Sequence, residues 1–236
     1  MKNKIIKINS LLIKFFGIPQ RHKKLPNPVD MLIGTILSQN TNDNNSYKAY
    51  QNLKEKYTNW EDVAELPRVK IERLIKVAGL GKQKSKAIKN ALNGLKKKRG
   101  NISLDYLKKF DDESVIKELT TFDGVGVKTA SCVLLFSMNR NICPVDTHVH
   151  RTLNRISVVK TNSPEKTFNE ILGSIPDGTA HSFHTNLIRL GREICKPSKP
   201  NCSICPVEKV CTYDSKNFDG KGKYRKNDFM LLDNIK

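Results

Sequence analysis

The chain has 236 residues, 38% of them hydrophobic, which is enough for one large domain or two modest ones. Lysine and arginine number 42 against 23 acidic residues, giving a net charge of +19 and a pI near 9.7. This excess favours a polyanionic partner, most simply nucleic acid, over a plain solvated basic surface. No run of 18 apolar residues occurs, which argues against a membrane-spanning protein.

The N-terminal segment has a basic start and apolar residues at positions 5, 8, 12, 15 and 16, which predicts an amphipathic helix. Lysines interrupt its apolar residues and no small-residue cleavage site follows, so a signal peptide is not expected. With no export or transmembrane signal, the predicted location is cytoplasmic and nucleoid-associated.

Helical periodicity dominates the rest of the chain and strand signals are scarce, so the predicted fold class is all-α. Helices are predicted in PVDMLIGTILSQ, SYKAYQNLKEKY, DVAELPRVKIERLIKVAG, SKAIKNALNGLKKKRG, SLDYLKKF, ESVIKELTTF, KTASCVLLFSM, THVHRTLNRIS, SPEKTFNEILGSI and SFHTNLIRLGREIC. In the ninth, Ser163 is predicted to cap the helix, with Pro164 at its first position. The tail, residues 213–236, is polar, basic and glycine-bearing and is expected to be mobile in part.

A Gly-apolar-Gly pattern occurs twice, in FDGVGVKTASCVLLF and in AGLGKQKSKAIKNAL. Glycine allows a tight turn, and a helix that follows such a turn opens with unpaired N–H groups. Those groups form an anion site, here suited to a nucleic-acid phosphate; a plain helix–helix turn is the alternative. The residues expected to contact DNA at the two turns are Gly79, Gly81, Lys82, Lys84, Gly124, Val125 and Gly126.

Lys128 stands at the second or third position of the helix after the second turn, where its ammonium opposes the helix dipole. A sequence selected for stability alone would place an acid there. The same field disfavours the charged form of the amine, which favours a nucleophile over a cation that grips phosphate.

NICPVDTHVHRTL supplies a candidate carboxylate, Asp146, immediately before a predicted helix. A helix N-cap worth about 1 kcal/mol is the alternative to a catalytic partner, and the two roles are compatible. His148 and His150 are two residues apart and so lie on different helix faces, which disfavours a metal site.

Four cysteines follow the spacing C-x6-C-x2-C-x5-C, at Cys195, Cys202, Cys205 and Cys211. Structural zinc sites more often show two short C-x-x-C-like pairs separated by a longer span. A single compact loop suits a larger inorganic core, which favours a [4Fe-4S] cluster. Lys196 and Lys199 lie between these cysteines and are expected to contact DNA phosphate. The other two cysteines, Cys132 and Cys143, lie in apolar stretches and are predicted to be buried thiols.

Together these features resemble the endonuclease III family, helix-hairpin-helix DNA glycosylases that carry an iron–sulfur cluster. The resemblance covers roughly residues 25–212, and the cysteine spacing matches the family's cluster loop. GVGVKTA resembles the family's hairpin, with Lys128 at the catalytic lysine, and VDTHVHR resembles the segment that carries the catalytic aspartate, with Asp146 at that position. LIRLGREIC resembles the helix that leads to the first cluster ligand. Asp123 departs from the family pattern, which usually has proline there, and is expected to point aside or to cap the helix.

The resemblance implies two all-α domains with a DNA cleft between them. Residues 24–139 would form a six-helix bundle with the hairpin, and residues 1–23 with 140–212 the iron–sulfur domain. Family members extrude the damaged nucleotide and fill the gap with a polar wedge. ILSQNTND lies where that wedge is expected, with Gln39 favoured over Asn40; a helix C-terminus with a capping Asn is the alternative.

The resemblance also implies a base excision repair glycosylase with AP lyase activity, acting as a monomer on double-stranded DNA that contains a damaged, oxidised pyrimidine or an abasic site. Lys128 would attack C1′ and form a Schiff base, Asp146 would stabilise positive charge or assist deprotonation, and β-elimination would cut the strand 3′ to the lesion. The alternatives are a monofunctional glycosylase for thymine or uracil opposite guanine, and a non-enzymatic DNA-binding protein.

Overall fold

The computed structural model describes residues 1–21 and 23–220; residues 221–236, most of the predicted tail, lie outside the described residues. The described chain is helical and contains no strand, which confirms the all-α prediction. Its contacts divide it into two compact units. The first joins Met1–Arg21 to the described chain from Arg140 onward, and the second comprises the described residues between these segments. None of the described helices is long and apolar enough to cross a bilayer.

Eleven α-helices lie within the described residues. They are α1 Lys2–Phe16, α2 Pro28–Ser38, α3 Asp43–Lys54, α4 Trp60–Glu65, α5 Arg68–Ile75, α6 Gly81–Arg99, α7 Asp112–Thr120, α8 Val127–Met138, α9 Thr147–Arg155, α10 Pro164–Ile171 and α11 Ala180–Arg189. Short 3₁₀ turns occur at Lys76–Ala78, Asp105–Lys109, Cys202–Ile204 and Glu208–Val210.

Two predicted helices are wrong. DVAELPRVKIERLIKVAG forms two helices, because α4 ends at Glu65 and α5 begins at Arg68, with Leu66 and Pro67 extended between them. Proline lacks an N–H donor and disfavours helical backbone in the residue before it. SLDYLKKF forms only the 3₁₀ turn Asp105–Lys109.

The first unit is built around the packing of α1 against α11. As the sequence spacing predicts, α1 buries one apolar face, with Ile5, Ile8, Leu12 and Phe16. The helix α9 packs against both α10 and α11, and α10 begins with the predicted cap, in which Ser163 accepts from the Lys166 N–H. The chain of α11 continues as a π-helical turn, Leu190–Ile194, directly before the first of the four clustered cysteines.

The second unit is centred on α2, which is buried along most of its length and packs against α3, α6 and α8. The helix α6 also packs against α5, and α8 against α7. The C-terminal end of α2 lies close to the glycine turns that begin α6 and α8, because the Leu37 carbonyl accepts from Lys84 and the Gln39 side chain donates to the Gly124 carbonyl. The fold of this unit therefore brings three predicted DNA-contacting segments together.

Candidate functional site

The turn between α7 and α8 is a helix-hairpin-helix motif built around Gly124. This residue has φ +84°, and a Cβ there would lie 2.7 Å from the Ala87 Cβ, so both conformation and close approach require glycine. Val125 is buried beneath the turn, which leaves its backbone as the part that can face a ligand. Gly126 has φ −97°, and a Cβ there would meet no atom within 4 Å. Glycine at that position therefore keeps space open rather than relieving a clash.

The two helices that follow glycine turns, α6 and α8, begin without a capping side chain. Of the other nine described helices, α1, α5 and α11 also lack a side-chain cap, and six are capped by the side chains of Asn27, Asn42, Asn59, Asp111, Asp146 and Ser163. First-turn N–H groups that lack a cap need another partner, and an anion is the natural one. Both glycine turns thus have the arrangement of a phosphate site.

We expect Gly124→Ala and Gly126→Ala to separate stability from ligand binding. Gly124→Ala should lower the free energy of unfolding by about 1–3 kcal/mol, because it combines a left-handed φ with a steric clash. Gly126→Ala should cost less than about 1 kcal/mol, since only the N-cap preference changes. Urea denaturation measures both, and titration of a fluorescent DNA duplex tests whether Gly126→Ala weakens binding. Unchanged binding by that variant would contradict a phosphate at the open space.

Lys128 occupies the second position of α8, and its side chain is half-buried. Among the described residues of its unit, the Lys128 amine takes part in no hydrogen bond or ion pair. Lys128 thus lies in the first turn of the uncapped helix α8, and no described carboxylate of its unit pairs with its amine.

The two wedge candidates differ in their surroundings. The Gln39 side chain donates from Nε2 to the Gly124 carbonyl at 3.1 Å and lies 3.4 Å from Thr129 Oγ1, so it ties the end of α2 to the hairpin. Asn40 is exposed and has φ +49°, a left-handed conformation that asparagine tolerates better than most residues. Gln39 is therefore the residue held by hydrogen bonds, and its neighbour Asn40 is the one exposed to solvent.

The first glycine turn presents an apolar side chain that sequence reasoning missed. Leu80 lies between Gly79 and Gly81, has φ +49° and is 46% exposed. A left-handed leucine is strained, and strained residues cluster at functional sites. The signal in the sequence is a large apolar residue between the two glycines. Lys82, next in the chain, is exposed, as a phosphate contact requires.

Lys84 does not face outward, which corrects its prediction as a DNA contact. Its side chain is 2% exposed, and its ammonium donates to the Leu37 and Ala78 carbonyls, each at 2.8 Å. Burial lowers the pKa of Lys84 from 10.5 to about 8. With its charge directed into the second unit, Lys84 cannot contact a phosphate at the surface.

Asp123, the departure from the family pattern, points away from the start of α8. Its carboxylate pairs with Lys86 at 3.0 Å and accepts from Asn90 Nδ2 at 3.4 Å, both on α6. It does not cap α8, whose N-cap position is Gly126. Of the two expected arrangements, the acid therefore adopts the one that points aside.

Asp146 is the N-cap of α9, where its Oδ1 accepts from the Val149 N–H at 2.8 Å. This bond fixes the carboxylate direction and leaves Oδ2 outside it. His148 and His150 have different partners, Arg151 for the first and Thr167 for the second, as expected for different helix faces. Burial lowers the pKa of His148, and the Asp146 carboxylate partly opposes this shift.

The four clustered cysteines line one pocket in the first unit, with about 400 Å³ of empty space, part of it open to solvent. Burial raises the pKa of the Cys205 thiol to about 12, and the other three cysteines add to the rise. A positively charged group bound among these cysteines would lower their pKa values and favour the thiolate form. Sulfur donors around one pocket match the donor set of an iron–sulfur cluster. In the described chain, however, neither these four cysteines nor any other group of three or more His, Cys, Asp or Glu is arranged as the ligands of a metal ion.

Residues outside the cysteine motif donate hydrogen bonds to two of its sulfur atoms. Arg155 donates to Cys195 Sγ at 3.4 Å and to the Lys196 carbonyl at 2.7 Å. The Asn217 N–H donates to Cys202 Sγ at 3.4 Å. The side chains of Lys196 and Lys199 are exposed on the same loop. Cys132 and Cys143 lie outside the motif and are 1% and 2% exposed, which confirms their predicted burial.

Comparison with known proteins gives concordant matches. The profile of the HhH-GPD superfamily of base excision DNA repair proteins matches residues 33–177. The chain is 34% identical over 207 residues to endonuclease III of Thermotoga maritima, which covers 88% of this chain and 92% of that relative. It is 38% identical over 187 residues, or 79% of its length, to an Arabidopsis thaliana protein provisionally named as a DNA glycosylase, and spans 63% of that relative.

A solved structure of a trapped covalent intermediate of endonuclease III with DNA matches with a TM-score of 0.75 at 28% identity, covering 90% of this chain and 96% of that chain. Sequence and structure therefore agree on one assignment. The chain belongs to the HhH-GPD superfamily of base excision DNA repair proteins and, within it, to the endonuclease III family of DNA glycosylases with AP lyase activity.

Proposed function

We propose that this protein acts as a monomer, excises damaged and especially oxidised pyrimidines from double-stranded DNA, and cuts the strand 3′ to the abasic site. The observation that carries the proposal is Lys128, whose amine forms no ion pair with the described residues of its unit and which lies in the first turn of α8, directly after a glycine turn with uncapped N–H groups. A relative of the same fold has been trapped in covalent linkage to DNA, which supports a covalent role for this amine.

The two uncapped turns hold the DNA backbone in this proposal. Phosphate oxygens accept from the first-turn N–H groups of α6 and α8, and the space above Gly126 leaves room for one of them. The net charge of +19 adds an attraction to DNA that does not depend on sequence. Backbone contacts of this kind position the duplex, while the choice of base is made elsewhere.

Lys128 is the proposed nucleophile. Its amine attacks C1′ of the extruded nucleotide, and the base leaves with the electrons of the N-glycosidic bond and takes up a proton. The nitrogen then loses a proton, and the C1′–O4′ bond breaks as O4′ takes up a proton, which opens the sugar to a protonated Schiff base. This Schiff base makes the C2′ proton acidic. Removal of that proton expels the 3′ phosphate, and hydrolysis of the Schiff base frees Lys128.

Asp146 is the proposed carboxylate partner. Because its Oδ1 is held by the Val149 N–H, its Oδ2 is the oxygen that can stabilise positive charge on the sugar or receive a proton. The helix cap and the catalytic role thus use different oxygens of one side chain. Asp146→Asn should keep the cap and lose the charge.

We infer that Asn40 is the polar wedge and that Gln39 is its anchor, although the sequence favours Gln39. The bond from Gln39 to the Gly124 carbonyl and the exposure of Asn40 support this division. Leu80 is placed to act as an apolar wedge beside it, since exposed apolar side chains can enter and unstack base steps.

The four clustered cysteines are the proposed ligands of a [4Fe-4S] cluster. Their shared pocket and all-sulfur donor set fit this group. When bound, the cluster would supply a rigid centre for the loop, and Lys196 and Lys199 on that loop would face the DNA backbone. Arg155 and Asn217 would donate to two of its sulfur ligands.

We expect Asp123→Asn to tighten DNA binding. The acid occupies Lys86 of α6, and the pair is exposed, so its loss should cost little stability. Freeing Lys86 for a phosphate should steepen the dependence of log affinity on log salt by about 0.9. Fluorescence anisotropy across a salt series measures both quantities.

Asp105→Asn is the matched control, because Asp105 is also an exposed acid in the same unit, paired with Lys108 at 2.5 Å. Both variants raise the net charge by one. An equal gain in affinity from both would show that only net charge matters, against a local role for Asp123.

A panel of duplexes containing thymine glycol, dihydrouracil, uracil opposite guanine or thymine opposite guanine tests the function. We expect excision of the two oxidised or reduced pyrimidines together with strand cleavage. Base removal from the mismatched duplexes alone, with no cleavage, would instead indicate a monofunctional mismatch glycosylase. Binding without any product would indicate a non-enzymatic DNA-binding protein.

A further inference from the structure

Lys84 carries a positive charge inside the second unit, where its side chain is 2% exposed. A buried charge loses several kcal/mol of solvation and is retained only with good partners. The partners of Lys84 are two carbonyl oxygens, those of Leu37 and Ala78, each 2.8 Å from its Nζ. A methionine would fill much the same volume without this cost, so the ammonium serves something other than packing.

Both acceptors lie at the ends of helical segments. Leu37 is in the last turn of α2, and Ala78 ends the 3₁₀ turn Lys76–Ala78. Carbonyls at helix C-termini lack intrahelical donors and carry partial negative charge. Lys84 itself lies in the first turn of α6, where the dipole of its own helix opposes its charge. The partial negative charge of the two carbonyls offsets the unfavourable interaction of the ammonium with the dipole of α6. One ammonium thus joins the ends of two helical segments.

Each of those ends leads directly into a segment with a proposed role on DNA. Leu37 is followed after Ser38 by Gln39 and Asn40, the proposed anchor and wedge. Ala78 is followed by the turn Gly79–Gly81 with the exposed Leu80. The bond from Gln39 to Gly124 continues the connection to the hairpin. A chain of three hydrogen bonds, two buried ones from Lys84 and an exposed one from Gln39, thus links the first glycine turn, the wedge segment and the second glycine turn.

We propose that Lys84 is a positioning residue that fixes the wedge segment Gln39–Asn40 relative to the turn Gly79–Gly81, and thereby supports extrusion of the damaged nucleotide. This inference rests on the proposed function. Lys84 touches no substrate atom in this role. It acts through the two backbone segments that it joins.

The test compares Lys84→Met and Lys84→Gln with Lys97→Met, an exposed lysine in the last turn of the same helix, α6. Single-turnover excision is measured on duplex DNA containing dihydrouracil. Strand cleavage is measured on a single-stranded oligonucleotide with a preformed abasic site, which needs neither base removal nor extrusion from a stack. Circular dichroism and thermal melting establish that each variant is folded, and Lys84→Gln decides the matter if Lys84→Met does not fold.

We expect Lys84→Met to slow duplex excision by about tenfold or more, since misplacing a positioning group by about 1 Å costs up to 10²-fold. Cleavage of the single strand should stay within about twofold of wild type, as should both activities of Lys97→Met. Equal losses on both substrates, or no loss on either, would overturn the positioning role while leaving the proposed function intact. A wild-type protein that processes neither substrate would instead overturn the proposed function.

Discussion

Replacing Lys128 with alanine is expected to abolish both base removal and strand cleavage, with a rate loss on the order of 10³-fold or more, as for other removed nucleophiles. The Lys128 amine at the start of α8 is the proposed nucleophile that attacks C1′, and no other described side chain is proposed to replace it. Single-turnover gels with a dihydrouracil duplex and with an abasic duplex measure the two steps. DNA binding should fall far less, because the backbone N–H groups of the turn remain.

Lys82→Ala is the matched control for that variant. Lys82 and Lys128 each occupy the second position of an uncapped helix after a glycine turn, in α6 and α8 respectively. Removing either lysine removes one charge from an equivalent place. If the role of Lys128 were only to attract phosphate, the two variants should lose affinity and activity to similar extents, and that outcome would contradict the nucleophile assignment.

The second large effect concerns the cysteine pocket. Cys202→Ser is expected to lower the iron content, remove the broad visible absorbance and lower the free energy of unfolding by about 4 kcal/mol or more, the scale of losing a structural metal group. The reason is that a metal group bound by the folded state contributes its binding energy to folding. Metal analysis, visible spectra and urea denaturation measure the three quantities.

Cys132→Ala provides the control, because Cys132 is a buried thiol in α8 and outside the motif. It should keep the iron and the visible absorbance and lose only the stability of a small packing change. Wild-type protein that contains stoichiometric zinc and no iron would refute the cluster assignment.

Periodicity was enough to predict most helices, since local spacing decides which faces are apolar. It failed where one residue changes the backbone: Pro67 interrupts a segment whose apolar spacing runs on through it. The spacing of Lys84 in the sequence indicates that its side chain points inward, although a charged residue is normally expected at the surface. Lys84 lies four residues before Ile88 and so shares the buried face of α6. A lysine on an apolar helix face is predicted to reach the surface unless buried hydrogen-bond acceptors for its ammonium are known.

The candidate site was predictable where its parts are close in sequence. Gly124, Gly126 and Lys128 lie within one turn and its helix, and the four clustered cysteines lie within one loop. Partners that depend on tertiary contacts were not predictable. Gln39 meets Gly124 across 85 residues, and Lys84 meets Leu37 across 47. No local pattern encodes such pairs, because they follow from the packing of α2 against α6 and α8.

The most direct test of the central claim is to reduce a mixture of the protein and an abasic duplex with borohydride and to map the covalent attachment by peptide mass spectrometry. The account predicts one principal adduct, on the peptide that contains Lys128, and its loss in Lys128→Ala. No adduct from the wild type, or a principal adduct on another amine, would contradict the assignment of Lys128 as the nucleophile.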